Sequence, residues 1–223
     1  MQAPNWIKDG KSLIYNSDGK LYRIDLQNRK PSLINTGKVK DINNDHVISF
    51  NGKMLGISSE RKGSPDGGST VYTLPLSGGE PRLITDNTPS YLHGWNPNGK
   101  ELAIVAKRNG SNIYNLYKVS LTDKKESPLT SITEGHVDGP EYSPDGKYIY
   151  YNANASGSMQ IWRMKPDGSG KQQLTFDEYN NWFPHISPDN KWLVMISFPY
   201  DIDPNGHPAY KNVMLRLMPL TEP

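Results

Sequence analysis

Hydrophobic and polar positions alternate along this chain in short runs, and the runs return in a fixed order. Residues 12–16, 54–59, 101–107, 148–153 and 192–198 are rich in the β-branched and aromatic side chains that favour strands. Each is followed by a run with a polar third position, at 21–24, 71–74, 116–119, 161–164 and 214–217. Those polar residues are Arg23, Thr73, Lys118, Arg163 and Arg216. A shorter run closes the first four groups, at 33–34, 83–85, 129–130 and 174–175, and the fifth group lacks it.

One phrase introduces every group. Its copies are Ile7-Lys8-Asp9-Gly10-Lys11, Ser49-Phe50-Asn51-Gly52-Lys53, Asn96-Pro97-Asn98-Gly99-Lys100, Ser143-Pro144-Asp145-Gly146-Lys147 and Ser187-Pro188-Asp189-Asn190-Lys191. Proline pre-sets φ for the first corner of a type I turn, Asp or Asn suits the second, and Gly accepts the left-handed conformation that restarts a strand. Asn190, in the place of that glycine, is the side chain that best tolerates positive φ. Each phrase is therefore a hairpin corner.

The closing lysines recur every 42–47 residues. Four short antiparallel strands at that period predict one blade of a β-propeller. The expected fold is an all-β, single-domain propeller over 1–223, with blades at approximately 1–37, 38–86, 87–131, 132–176 and 177–223, the last incomplete. Ala3 to Trp6 is expected to be the innermost strand of blade one. Trp6, Trp95, Tyr142 and Ile186, each five residues before a repeat lysine, are expected to fill the gaps between blades.

Composition narrows the partners. The formal net charge is +2, from 25 basic and 23 acidic residues, and no basic run is long enough to track a phosphate backbone. Nucleic acid is not expected as a partner. With no cysteine, disulfides, Cys-ligated zinc and thiol catalysis are excluded. No stretch approaches the roughly 18 consecutive apolar residues of a membrane span. Met1-Gln2-Ala3-Pro4 has none of the charged and apolar regions of a signal peptide.

The Ser143–Lys147 phrase, the aromatic residue before it and the blade-closing Leu-Thr pairs resemble the WD40-like repeat of TolB-type propellers. The resemblance covers nearly the whole chain. It implies a periplasmic or secreted binding scaffold, although the same repeat occurs in prolyl-oligopeptidase-type propellers and in oligogalacturonate lyases. TolB-like propellers usually have six blades and join their ends in one shared blade. No sixth repeat is read in this sequence, so the expectation is a truncated form, a chain that completes itself through another copy or a ring closed on five blades, and an open ring would expose strand edges that promote self-association.

Four of the five histidines fall in the segment leading into an innermost strand: His46 and His93 seven residues before their repeat lysine, His185 six and His136 eleven. Such segments converge on one mouth of a propeller's central channel. The expected ligand-binding residues there are Asn44, Asp45, His46, Tyr91, His93, Asp138, Glu141, Trp182 and His185. Imidazoles, carboxylates, amides and aromatic faces suit a protein segment, a small polar ligand or a divalent metal held by nitrogen and oxygen. Strand parity puts His46 and His93 on one face and His185 on the other, so a three-histidine metal site is not expected. Trp182 and Tyr179 are expected to be exposed for stacking.

A weaker signal is Asp201-Ile202-Asp203-Pro204-Asn205-Gly206, which spaces Asp201, Asp203 and Asn205 as in a calcium loop. It has Asn212 where a bidentate Glu is expected. The chain has no Gly-x-Ser-x-Gly elbow, phosphate loop or dinucleotide fingerprint. The expectation is a non-catalytic scaffold binding a protein or small polar ligand at the channel mouth. The alternative is a metal-dependent lyase or hydrolase acting on an acidic saccharide.

Overall fold

The computed structural model describes residues 2–64, 67–209 and 211–220. Thr221, Glu222 and Pro223, where the chain was expected to stop short of a fourth strand, lie outside the described residues. Among the described residues, nineteen strands form five antiparallel sheets in which each strand pairs with its sequence neighbour. Blade one holds β1 (Gln2–Trp6), β2 (Ser12–Ser17), β3 (Lys20–Asp25) and β4 (Pro31–Leu33). Blade two holds β5 (Ile42–Ile48), β6 (Met54–Glu60), β7 (Ser69–Pro75) and β8 (Arg82–Leu83). In blade three the strands are β9 (Ser90–Trp95), β10 (Glu101–Ala106), β11 (Asn115–Ser120) and β12 (Glu126–Pro128). Blade four contains β13 (Val137–Tyr142), β14 (Ile149–Ala153), β15 (Gln160–Met164) and β16 (Gln172–Gln173). Blade five has three strands, β17 (Asn180–Ile186), β18 (Trp192–Phe198) and β19 (Met214–Pro219).

The repeated phrase is the β-turn between the first two strands of every blade. In all five, an Asp or Asn side chain accepts the backbone N–H of the lysine: Asp9 at 2.7 Å, Asn51 at 2.9 Å, Asn98 at 2.8 Å, Asp145 and Asp189 at 3.1 Å. The residue before the lysine sits in the left-handed region, with φ of 66 to 72° at the four glycines and 60° at Asn190. The turn chemistry thus holds at each corner.

Packing is concentrated between adjacent blades. One cluster joins Ile14 and Leu21 to Leu55 and Leu74, and the next joins Val71 to Trp95, Leu102 and Ile104. A third joins Val105 and Leu116 to Tyr142 and Met164, and a fourth joins Ile161 to Ile186 and Leu193. Trp95, Tyr142 and Ile186 are buried as expected, but Trp6 is 63% exposed. The reason is positional, since each of the buried three packs against the preceding blade and, among the described residues, no blade precedes blade one.

The opposite flank is equally bare. Leu217 of β19 pairs with Val194, and Leu215 with Ile196, on a face that leaves Trp192 43%, Leu217 61% and Leu215 77% exposed. Among the described residues, no strand of blade five packs broadly on one of blade one. Trp6 and the β18–β19 face are, among the described residues, the two flanks left without a neighbouring blade.

Candidate functional site

Innermost strands build the site, and a register irregularity in each of them shapes it. β1, β5, β9, β13 and β17 all carry a bulge about eight residues before the repeat lysine. At three of these bulges φ is positive: Ala3 at 45°, Gly139 at 58° and Phe183 at 52°. A bulge turns side chains out of the regular alternation and bends the strand, and such features collect next to binding sites.

The bulged segments surround a cavity of about 570 Å³ at one mouth of the channel. All five histidines of the chain line it: His46, His93, His136, His185 and His207. Asn44, Asp45, Tyr91, Asp138 and Glu141 line it too, so eight of the nine expected residues meet there. The parity expectation is corrected, because His185 shares the cavity with His46 and His93. An innermost strand turns its edge to the channel, so consecutive residues such as Asn44, Asp45 and His46 all reach it.

Trp182 is also corrected. It is fully buried behind the wall, with its ring 5.6 Å from His136 and 4.8 Å from His207, and cannot stack on a ligand. Its neighbour Phe183 lines the cavity instead, held in the bulge and stacked on His93 at 6.2 Å. Tyr179 is half-buried under the Arg216 guanidinium, 5.3 Å from the ring centre.

Asp138 is the electrostatic centre. Its Oδ1 accepts the Gly139 N–H at 2.7 Å and faces His93 Nε2 at 3.2 Å. Its Oδ2 faces His136 Nε2 at 3.7 Å and His207 Nε2 at 4.0 Å. Burial works against the charge on His93, but Asp138, with Asp45 and Glu141 behind it, outweighs burial and raises the imidazole to about 9. Burial likewise opposes ionisation of Asp138, and the His93 charge overcomes it, holding the carboxyl well below the usual range.

A second pair stands beside it. Glu141 faces His185 Nδ1 at 2.6 Å and accepts the Ile186 N–H at 3.1 Å, and the carboxylate raises the His185 pKa. Burial lowers the His46 pKa to about 4, leaving it a neutral imidazole. Burial also raises the pKa of Asp45, opposed by His93 and reinforced by Asp138.

His207, Tyr114 and Phe183 line the cavity without having been picked from the sequence. His207 comes from the connection between β18 and β19, residues 199–213. That length was the available signal, because connections beyond roughly 12–15 residues in a compact domain are usually functional. The proposed calcium loop is this connection. Asp203 accepts both the Asn205 N–H at 2.9 Å and its Nδ2 at 3.1 Å, and the Asn205 side-chain oxygen accepts from Asn154 Nδ2 at 2.8 Å. Two of its three oxygen donors thus brace the loop, which lays His207 over the mouth. Among the described residues, no group of three or more His, Asp or Glu is placed to hold a metal ion.

Fold and site together define a β-propeller with a histidine-rich polar cavity at the channel mouth. Residues 93–202 match the model of the TolB β-propeller domain. The chain is 43% identical, over 97% of its length and 72% of the relative's, to the uncharacterized protein Atu1656 of Agrobacterium fabrum. It superposes with a TM-score of 0.91 and 41% identity on a protein of Agrobacterium tumefaciens provisionally assigned as a TolB, covering 98% of this chain and 76% of that one. TolB from Acinetobacter baumannii gives a TM-score of 0.73 at 19% identity, over 93% of this chain and 49% of that one, a likeness of fold alone. This chain belongs to the TolB-like β-propeller family. It spans about half the length of that TolB.

Proposed function

We propose that this protein is a non-catalytic, exported binding scaffold that holds a small polar ligand or a segment of a protein partner at the channel mouth. The observation that carries the reading is the single cavity into which five histidines and three carboxylates project from four blades. The two close imidazole–carboxylate pairs suit recognition by charge and hydrogen bonding. Membership of the TolB-like family supports the scaffold role and a place outside the cytoplasm. The flanks of blades one and five, uncovered among the described residues, support self-association as part of the same behaviour.

The test is a thermal-shift survey with amino acids, short peptides, neutral sugars and uronic acids. A concentration-dependent rise in Tm that disappears in His93→Ala supports the reading. Cleavage of oligogalacturonate in the presence of manganese or calcium, lost in His93→Ala, would replace it with a metal-dependent lyase.

A further inference from the structure

Three carboxylates line the cavity, and two are matched. Asp138 has His93 at 3.2 Å, and Glu141 has His185 at 2.6 Å. Asp45 has no ion-pair partner among the described residues, and no lysine or arginine stands on the cavity wall. Lys107 is engaged over the Tyr114 ring, its Nζ 4.5 Å from the ring centre. His93 and His207 act on Asp45 through space and favour its charge, but among the described residues no side chain forms an ion pair with it. Burial already makes that group reluctant to ionise without a partner.

A second, independent vacancy in hydrogen bonding lies beside it. His46 is 3% exposed, lines the same cavity, and has no hydrogen bond at either ring nitrogen. Backbone groups of Ile14, Asn44 and Ala3 lie near, yet none completes a bond in hydrogen-bond geometry. A buried imidazole with both nitrogens unpaired is costly unless something supplies the partner. As a neutral ring it offers one lone pair to an incoming N–H. Tyr91, Tyr114 and Phe183 complete the wall with aromatic rings, and the Tyr114 ring already holds one cation, Lys107 Nζ at 4.5 Å from its centre.

We propose that the mouth selects ligands bearing a primary ammonium or guanidinium group, which docks against Asp45 and His46 among the rings of Tyr91, Tyr114 and Phe183. The inference rests on the binding-scaffold reading and adds the sign of the ligand's charge. The donor-rich cation supplies what Asp45 and the His46 lone pair lack. It could be a free basic metabolite or a basic side chain of a polypeptide.

Because every histidine of the chain lines the cavity, imidazole resonances report on it directly. The protein with ¹³C-labelled histidine is titrated with L-arginine, with the peptide Gly-Arg-Gly, with galacturonate and with glucose. Saturable shifts with either arginine compound are expected, and the stronger of the two identifies a free or a peptide-borne cation. Asp45→Asn should weaken binding on the order of tenfold or more, and Asp45→Glu should retain it. Unchanged arginine affinity in a folded Asp45→Asn protein overturns the proposal. Shifts with galacturonate or glucose alone overturn it while leaving the scaffold reading intact, and no shift with any of the four overturns both.

Discussion

His93 of blade three and Asp138 of blade four meet across the channel mouth, Nε2 to Oδ1 at 3.2 Å, with side chains 17% and 13% exposed. The contact ties two blades together at the point where their innermost strands bulge. It also fixes the protonation state of the cavity, since a charged His93 and an ionised Asp138 stabilise one another against their common burial.

Asp138→Asn should therefore change the titration of the site. In the native protein the His93 pKa is raised from 6.5 to about 9, so its contribution to stability is complete below pH 6.5 and fades as pH rises through 9. Asp138 is lowered from 3.8, so its contribution is present above that pH and is lost on acidification. The pair is at full strength between about pH 4 and 6.5. At pH 6 the variant should lose about 3 kcal/mol by urea denaturation, with the difference narrowing above pH 9. His93 should titrate well below 9 by NMR.

The blade-closing threonines make a separate prediction. Thr85, Thr130 and Thr175 each accept, through Oγ1, the buried N–H of Val71, Leu116 and Ile161 respectively, all at 2.9 Å. Replacement by valine keeps the shape and leaves a buried donor unpaired, so each variant should lose about 1–3 kcal/mol. Each hydroxyl has a further side-chain partner, Thr70 Oγ1 at 3.0 Å for Thr85, Asn115 Oδ1 at 2.8 Å for Thr130 and Asn181 Nδ2 at 3.3 Å for Thr175, so the three losses should be of similar size. Denaturation midpoints of the three variants, compared at one pH, check this.

These threonines also mark what the sequence discloses and what it conceals. Their recurrence was legible as a closing run, yet the fourth strands end just before them, at Leu83, Pro128 and Gln173. The Leu or Ile then plugs the gap between blades and the Thr caps the strand beside it. The turn phrase was legible to the residue because its chemistry is local, an Asp or Asn oxygen on a lysine amide. The histidine mouth was legible because equivalent repeat positions converge. His207 was not, since nothing local says where a connection as long as 199–213 will lie. Trp182 and Phe183 exchanged roles because a bulge with φ of 52° at Phe183 overrides the alternation that would have pointed Trp182 outward.

That bulge depends on its neighbour in blade four. Gly139 has φ of 58°, and a Cβ there would lie 2.8 Å from Asn152 Oδ1 and 3.0 Å from Phe183 Cδ1. Asn152 Oδ1 is the group that accepts the Phe183 N–H at 3.1 Å. Gly139→Ala should cost about 1–3 kcal/mol and unseat the Phe183 ring from His93. The His93 imidazole protons should then move as the ring current over them changes, while the remote turn at Ser187 to Lys191 keeps its chemical shifts.

The two bare flanks make the last prediction. Trp6 stands on one and Leu217, with Leu215 and Trp192, on the other, all at least 43% exposed. If copies associate by placing the blade-five face of one against the blade-one face of the next, the contact is heterologous, and Trp6→Lys or Leu217→Lys alone should weaken it. A self-complementary contact between two blade-five faces would instead respond to Leu217→Lys and ignore Trp6→Lys. Because both residues are largely exposed, each variant should lose no more than about 0.5 kcal/mol of stability, so a change in light-scattering mass can be assigned to the interface. The native protein should show mass rising with concentration. A monodisperse native monomer at the highest soluble concentration would remove self-association from the proposed behaviour and leave the channel mouth as its binding surface.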